Sequence, residues 1–490
     1  MSQPTPPASK TLARKPRGFP DRREGDVLAE QAMITRVCDV YRQWGFEALD
    51  TGAFEYADAL GKFLPDADRP NDGVFALQDD DDQWVSLRYD LTAPLARFAA
   101  EHWQTLPKPF RRYAAGPVWR NEKPGPGRFR QFLQCDADTV GAPGLHADAE
   151  MVAMGAEALR AAGLSPGDFV VRVNTRRLLN GVLETAGVTT DAARLIVLRA
   201  LDKLDRLGLT GVEALLGEGR MDESGDFTRG AGLDGPARTC LLDFVSAKGA
   251  TRAETLASLS SAIGASPEGR AGLSELEGIG EALAALGAPE SDVVFDPSVV
   301  RGLEYYTGPV YEAELLRVGG VDLSAGTLGS IGGGGRYDDL VARFTGETVP
   351  ATGFSVGISR LVTALAEAGD TAGFAGPVVV LNMDKENPGE ALALATELRA
   401  AGLRAEPYMG ASGMRPQMKY ADRRGAPAVV MAGEDERARG VVTIKDLKAG
   451  AEAARDIQSN EAYRAARPGQ FEAPRQDMVA RVREIVERTS

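Results

Sequence analysis

Along Gly127–Gly141, GRFRQFLQCDADTVG, polar and apolar residues alternate with a period of two. That period marks a β-strand, whose successive side chains point to opposite faces. Arg128, Arg130, Phe132, Gln134, Asp136 and Asp138 share one face; Phe129, Leu133, Cys135 and Ala137 share the other, broken only by Gln131. The second set is an ordinary core face. The first combines two cations, an aromatic ring, an amide and two acids. The run from Tyr113 is also strand-like, so the Gly/Pro-rich EKPGPG between the two predicts an antiparallel hairpin with a long tip, and Arg120 on the incoming strand adds a third cation. A solvated strand face and a small-molecule platform both fit. Phe132 among polar groups, beneath an open tip, favours the platform.

The same reading organises the rest of the chain. Helical spacing predicts a helix over Gly25–Gly45, with Gly45 as its stop, followed by a short strand in Phe46–Phe54. Leu64–Asp82 is acidic and turn-rich and reads as a solvated loop. In Ser86–Ala100, Asp90 and Thr92 stand just before an amphipathic helix that Pro94 begins; they read either as helix caps or as ligands. A helix over Ala147–Ala162 and a strand over Phe169–Val173 follow. From Thr189 to Leu286, Ala, Leu, Gly, Glu and Arg dominate at helical spacing, which predicts a helical insertion without a catalytic motif. Strand character returns in Val293–Leu315, where RGLEYY sets Arg301 near Tyr305 and Tyr306. The glycine cluster in Gly329–Val341 matches neither common nucleotide-binding glycine pattern and reads as a tight turn with close strand packing. Ala351–Leu365 reads as a glycine-bearing strand leading into a helix that carries Arg360.

A boundary is expected at Asp370–Gly376. Beyond it, alternating strand and helix patterns predict a small α/β domain with a partly parallel sheet. Arg415, Lys419, Arg423 and Arg424 fall at near-helical spacing there, as a solvated helix face would. The tail ends in an amphipathic helix.

Composition narrows the class. A chain of 490 residues allows two to four domains, and 43% hydrophobic with 26% charged residues is globular. No apolar run approaches the roughly 20 residues of a membrane span, and the N-terminus lacks a hydrophobic signal core, so neither membrane association nor secretion is expected. Three separated cysteines argue for a reducing compartment, and with only His102 and His146 no zinc or histidine-rich metal site is expected. A cytoplasmic protein is the expectation. The net charge of −14 disfavours a general nucleic-acid coat protein, but the C-terminal domain is close to neutral and leaves room for local patches.

Several motifs, in order, resemble the class II aminoacyl-tRNA synthetases, and among them the histidyl-tRNA synthetase family. SLRYDLTAPLAR is similar to that family's amino-acid-binding segment, WRNEKPGPGRFRQFLQCDADTVG to class II motif 2, and RGLEYYTG to the histidine-specific signature. GGGGRYDDL resembles the glycine-rich segment after it, GFSVGISRL motif 3, and SGMRPQMKYADRRGAPAVVMAGEDERARGVVTIKDL the anticodon-binding domain. The resemblance runs from about Arg17 to near the C-terminus. It implies an α+β catalytic core with a mainly antiparallel sheet of six to seven strands, a helical insertion, a C-terminal α/β anticodon-binding domain and an obligate homodimer. The layout that follows is a disordered lead at 1–16, a catalytic core at 17–188 and 287–370, the insertion at 189–286, the anticodon-binding domain at 377–456 and a tail at 457–490.

The implied reaction joins L-histidine to tRNA(His) through a histidyl-adenylate, with ATP as its Mg²⁺ complex and no tightly bound cofactor. Its first step brings a carboxylate to a polyphosphate, so it needs positive charge around the α-phosphate; arginine supplies that with a fork that grips phosphate and never deprotonates. By resemblance, Arg120 and Arg301 are catalytic, with Arg301 standing where other class II enzymes place a metal. Arg128, Arg130 and Arg360 then bind phosphates, and Phe132 stacks on adenine. Asp90, Thr92 and Gln134 hold the α-ammonium group; Asp138, Tyr305 and Tyr306 enclose the imidazole. Three departures stand out: Gly52 replaces the usual proline of motif 1, Ser359 replaces the acid before the motif 3 arginine, and the motif 2 tip lacks amide side chains. The alternative is a non-catalytic, histidine-binding regulatory paralogue of ATP phosphoribosyltransferase. Such paralogues usually lose the arginine signature and the anticodon domain, both present here.

Overall fold

The computed structural model describes residues 11–63, 73–125, 127–222, 225–263, 265–302, 305–323, 329–367, 376–384, 388–454 and 467–489. The chain divides into two compact units, one ending at Thr371 and one beginning at Ala372.

The first unit is built on an eight-stranded sheet. In spatial order its strands are Glu47–Ala48, Phe110–Trp119, Gln131–Val140, Ala351–Gly357, Ser330–Arg336, Pro309–Leu315, Phe169–Thr175 and Val293–Phe295. The six inner strands pair antiparallel. The two short outer strands pair parallel with their neighbours, so the sheet exceeds the six or seven antiparallel strands expected. Each outer strand is separated from its partner by a long helix-containing stretch of chain, and such crossovers are what join parallel strands.

One face of the sheet is covered by the helix Leu145–Ala161. Met151, Val152, Met154, Ala158 and Leu159 on it are fully buried, because it lies between the sheet and the helices Glu24–Gln43 and Pro267–Ala285. Apolar residues therefore cover most of the helix circumference, and His146, Glu150, Glu157 and Arg160 form the remaining polar stripe. Each large apolar side chain so buried is worth roughly 1.5–3 kcal/mol. Cys135 and Ala137 of the Gln131–Val140 strand are buried in this core, which leaves the other sheet face free for a site.

Two segments differ from their sequence readings. Within the expected acidic loop, Ala76–Gln78 forms a strand of a small sheet with Trp84–Leu87 and Phe54–Tyr56; positions 64–72 lie outside the described residues. The glycine cluster is no turn but an inner strand, Ser330–Arg336. A Cβ at Gly333 or Gly335 would come within 2.7 Å of a carbonyl oxygen on the neighbouring strand. The close packing is there, but inside the sheet.

The insertion contains five helices between Asp191 and Ala285 and a hairpin of Gly219–Met221 with Phe227–Arg229. The expected disordered lead falls partly on residues 1–10, outside the described residues; Gly18, just past it, pairs through its carbonyl with the amide of Arg130 at 2.8 Å.

The second unit holds a five-stranded sheet in the order Ala405–Pro407, Val378–Val380, Ala428–Met431, Val441–Asp446, Gln470–Pro474. The first three strands are parallel and the last two pairings antiparallel. The terminal helix, Met478–Thr489, buries Met478, Val482 and Ile485 in this unit's core. The tail thus completes the domain.

Candidate active site

Register sets the floor of the site. Gln134 lies opposite Gly116 and Gly357, Asp136 opposite Ala114 and Ser355, and Asp138 opposite Arg112 and Gly353. Beyond them, Ser355 faces Gly333. Small residues flank the polar ones, so a cavity of about 530 Å³ opens over the strands.

Part of the cavity lining is cationic. Arg120, Arg128, Arg301 and Arg360 supply it. Arg360 is pulled down to about 10 by burial, and next by the charges of Arg128, Arg301 and Arg120. Four cations this close, outnumbering the nearby Glu122 and Glu312, create a demand for anionic charge. Arg360 also donates to the carbonyl of Ser330, and Arg301 is ion-paired with Glu312. The Arg120 guanidinium lies 4.4 Å from the Tyr89 ring centre and 5.1 Å from that of Phe132. Phe132 itself lines the cavity.

Another part is polar and aromatic: Asp90, Thr92, Gln134, Asp136, Tyr305 and Tyr306 also line the cavity. One Asp90 oxygen accepts from the backbone amides of Thr92 at 3.1 Å and Ala93 at 2.8 Å. Asp90 therefore caps the helix Thr92–His102 and borders the cavity at once; the two sequence readings are compatible. Tyr305 and Tyr306 meet edge to face with centroids 5.2 Å apart, and burial raises both phenols. Gly302 has φ +61°, and a Cβ there would run into the Tyr306 ring. Only glycine lets the chain bring that ring over the floor.

Two expected site residues stand off the cavity. Arg130 donates from Nε to the carbonyl of Glu122 at 2.9 Å, and its aliphatic stem packs on Gly18. Asp138 is buried behind the wall. Its carboxylate lies 3.0 Å from Arg112 Nη2 and accepts the Tyr337 hydroxyl. Burial raises its pKa, against the pull of Arg112 and Tyr337. Ser359 also turns inward: its Oγ donates to Glu30 Oε1 at 2.8 Å and accepts the Leu133 amide at 3.0 Å. Glu30, on the first helix, is buried and also accepts from Arg22, and neither it nor Ser359 lines the cavity.

Sequence reasoning missed Glu122, Tyr89 and Ser355 on the cavity and Glu312 behind Arg301. Ser355 left one signal, a lone hydroxyl in the apolar strand GFSVG.

Comparison with known proteins shows the family of the chain. A family model described as histidyl-tRNA synthetase matches residues 18–361, and one described as an anticodon binding domain matches 377–463. The chain is 62% identical to a histidine–tRNA ligase of Caulobacter vibrioides over 97% of both chains. It is 54% identical to that of Brucella ovis, over 98% of this chain and 97% of the relative. Among solved structures, a histidyl-tRNA synthetase from Nostoc superposes with a TM-score of 0.73 at 30% identity, over 98% of this chain and 100% of the other.

Proposed function

Since the chain belongs to the histidyl-tRNA synthetase family and is an enzyme that attaches L-histidine to tRNA(His) with ATP, we propose how its residues divide that work. The carrying observation is one cavity whose lining combines a cluster of four arginines with acids, an amide and tyrosines.

Arg120 and Arg301 hold the α-phosphate as the histidine carboxylate attacks it. Their charge offsets the negative charge that grows there before pyrophosphate leaves. Arg128 and Arg360 take the outer phosphates. Phe132 offers its ring to adenine. ATP enters as its Mg²⁺ complex. Asp90, Thr92 and Gln134 bind the α-ammonium group, and Tyr305 and Tyr306 close over the imidazole. Asp138 acts from behind the wall through Arg112 and Tyr337, and Arg130 anchors the hairpin tip on the N-terminal segment. The terminal ribose of tRNA then takes the histidyl group and AMP is released.

In the second unit, Arg415, Lys419 and Arg423 are exposed on one helix, while Arg424 is held by Glu406 at 3.0 Å. The three exposed cations suit anticodon phosphates. A homodimer is proposed from the small sheet: Phe54, Tyr56 and Leu77 on its outer face are 49%, 57% and 49% exposed. Such a face asks for cover. Among the described residues no helix is long and apolar enough to cross a membrane, and we place the enzyme in the cytoplasm.

Histidine-dependent exchange of pyrophosphate into ATP, followed by charging of tRNA(His), tests the assignment. A folded protein that shows no exchange refutes it. Sedimentation of the Tyr56→Lys variant tests the dimer, which is refuted if the wild type sediments as a monomer at micromolar concentration.

A further inference from the structure

Asp136 lines the cavity, is only 3% exposed, and has no part in the assignment above. It ends a directed chain of hydrogen bonds. Gln134 Nε2 donates to Ser355 Oγ at 2.6 Å, and Ser355 Oγ donates to Asp136 Oδ1. Gln134 Oε1, in a residue 8% exposed, has no partner among the described residues.

We propose that Asp136 is a positioning residue that orients the Gln134 amide through Ser355, so that Gln134 Oε1 faces the α-ammonium group of histidine. The proposal rests on the assignment of Gln134 to that group. An ionised carboxylate only accepts hydrogen bonds, so the single Ser355 proton must go to Asp136. The Ser355 oxygen is then left to accept, and the nearby donor is the Gln134 NH₂. That pins the nitrogen side of the amide inward. The oxygen side is left unpaired and closed from solvent beside the cavity, so it meets the ammonium group as histidine seats against the Gln134 side chain, and a buried acceptor needs a donor. The substrate ammonium group brings three.

A protonated Asp136 reverses the chain. It donates to Ser355, Ser355 donates to Gln134 Oε1, and the amide turns its NH₂ toward the ammonium group. The reversal falls in the ordinary pH range because of what faces Asp136. Burial, then Asp138 on the same strand and Asp90 across the cavity, hold it up at about 7, against the Ser355 hydrogen bond and Arg112 on the adjacent strand. Arg88 and Tyr306 also lie within its field. Histidine binding should therefore weaken as pH falls through this range, while the phosphate chemistry at the arginines is affected less.

The test is ATP–pyrophosphate exchange by the full-length enzyme as a function of histidine, for the wild type, Asp136→Asn and Ser355→Ala, between about pH 6 and about pH 8.5. Free histidine titrates identically in every assay, so the ratio of variant to wild-type KM isolates the protein's contribution. Each ratio should be about tenfold at the alkaline end and approach one at the acid end, with kcat within a few-fold throughout. A ratio that does not change with pH, or a loss lodged in kcat, overturns the relay. Ser355→Ala removes only a hydroxyl and carries the test alone if Asp136→Asn does not fold. Failure of the underlying reading looks different: the wild type shows no exchange, or Gln134→Ala leaves the histidine KM unchanged.

Discussion

Arg301 and Glu312 form an ion pair in which the carboxylate comes from an inner strand of the sheet and the guanidinium from the loop before it. Arg301 is the most exposed partner in the arrangement, with 47% of its side chain accessible against 16% for Glu312. The acid thus tethers an arginine that would otherwise wander, and presents its remaining donors to the cavity. Arg301→Ala should lower the rate of adenylate formation by a hundredfold or more, roughly what one transition-state donor supplies. The histidine KM should change only a few-fold. Glu312→Gln, which keeps the shape but weakens the tether, should fall between. Equal losses in kcat and in histidine affinity would remove the transition-state role from Arg301.

Phe132 lines the cavity together with the rings of Phe129 and Tyr89, and Arg120 already occupies part of its surroundings. Phe132→Ala should raise the KM for ATP by about tenfold, the scale of one lost base-stacking contact, and leave the KM for histidine nearly unchanged. Phe132→Tyr should restore it. Exchange kinetics at varied ATP read both, and an unchanged ATP dependence in the alanine variant would show that adenine sits elsewhere.

Asp136 also bears on stability. Its folded-state pKa, about 7, lies above its ordinary value of 3.8, so the folded state binds this proton more tightly than the unfolded chain. Its contribution to stability is greatest at low pH and is lost as pH rises from the ordinary value through about 7. Asp136→Asn escapes that loss. The variant should unfold at higher temperature than the wild type at about pH 8, and the gap should close as the solution is acidified toward pH ~5. Thermal melts across that range check it; a gap that widens on acidification would mean the carboxylate is stabilised, not strained, by its surroundings.

The terminal helix gives a separable prediction. Val482 is fully buried in the core of the second unit. Val482→Asp places a charge there at a cost of about 3 kcal/mol or more. It should unfold that unit alone, leaving histidine-dependent exchange intact while charging of tRNA(His) collapses. Calorimetry and the two assays together decide, and full charging with the second unit melted would contradict its role in tRNA binding.

What could be read from the sequence was largely a matter of period. Alternation along Gln131–Val140 told which side chains share a face, and the structure keeps Phe132, Gln134 and Asp136 together on the cavity. Period does not tell what covers a face. Arg130 is claimed by Gly18, more than a hundred residues earlier, and Asp138 by Arg112 and Tyr337. The Gly18 and Tyr337 contacts join distant segments that no local pattern encodes, and the Arg112 pair depends on the register of the hairpin. The glycine run misled for a related reason. A turn and a strand with no room for side chains ask for the same residue, and only the neighbours distinguish them.

That strand, Ser330–Arg336, has a consequence for how the enzyme behaves between turnovers. Its Gly332, Gly333 and Gly334 line the cavity with backbone alone, so the side-chain layer that would normally seal a central strand is missing there, while the Tyr306 ring covers Gly335. The substrates furnish it. Histidine and ATP act as borrowed side chains, and the empty enzyme resembles a protein with a large core deletion. It should breathe over this strand, exchanging the amides of Gly333–Gly335 with deuterium far faster than those of Phe169–Thr175 in the same sheet, and become quiet only when loaded. These glycines, the least distinctive residues in the chain, are then the ones that make its rigidity conditional on its cargo.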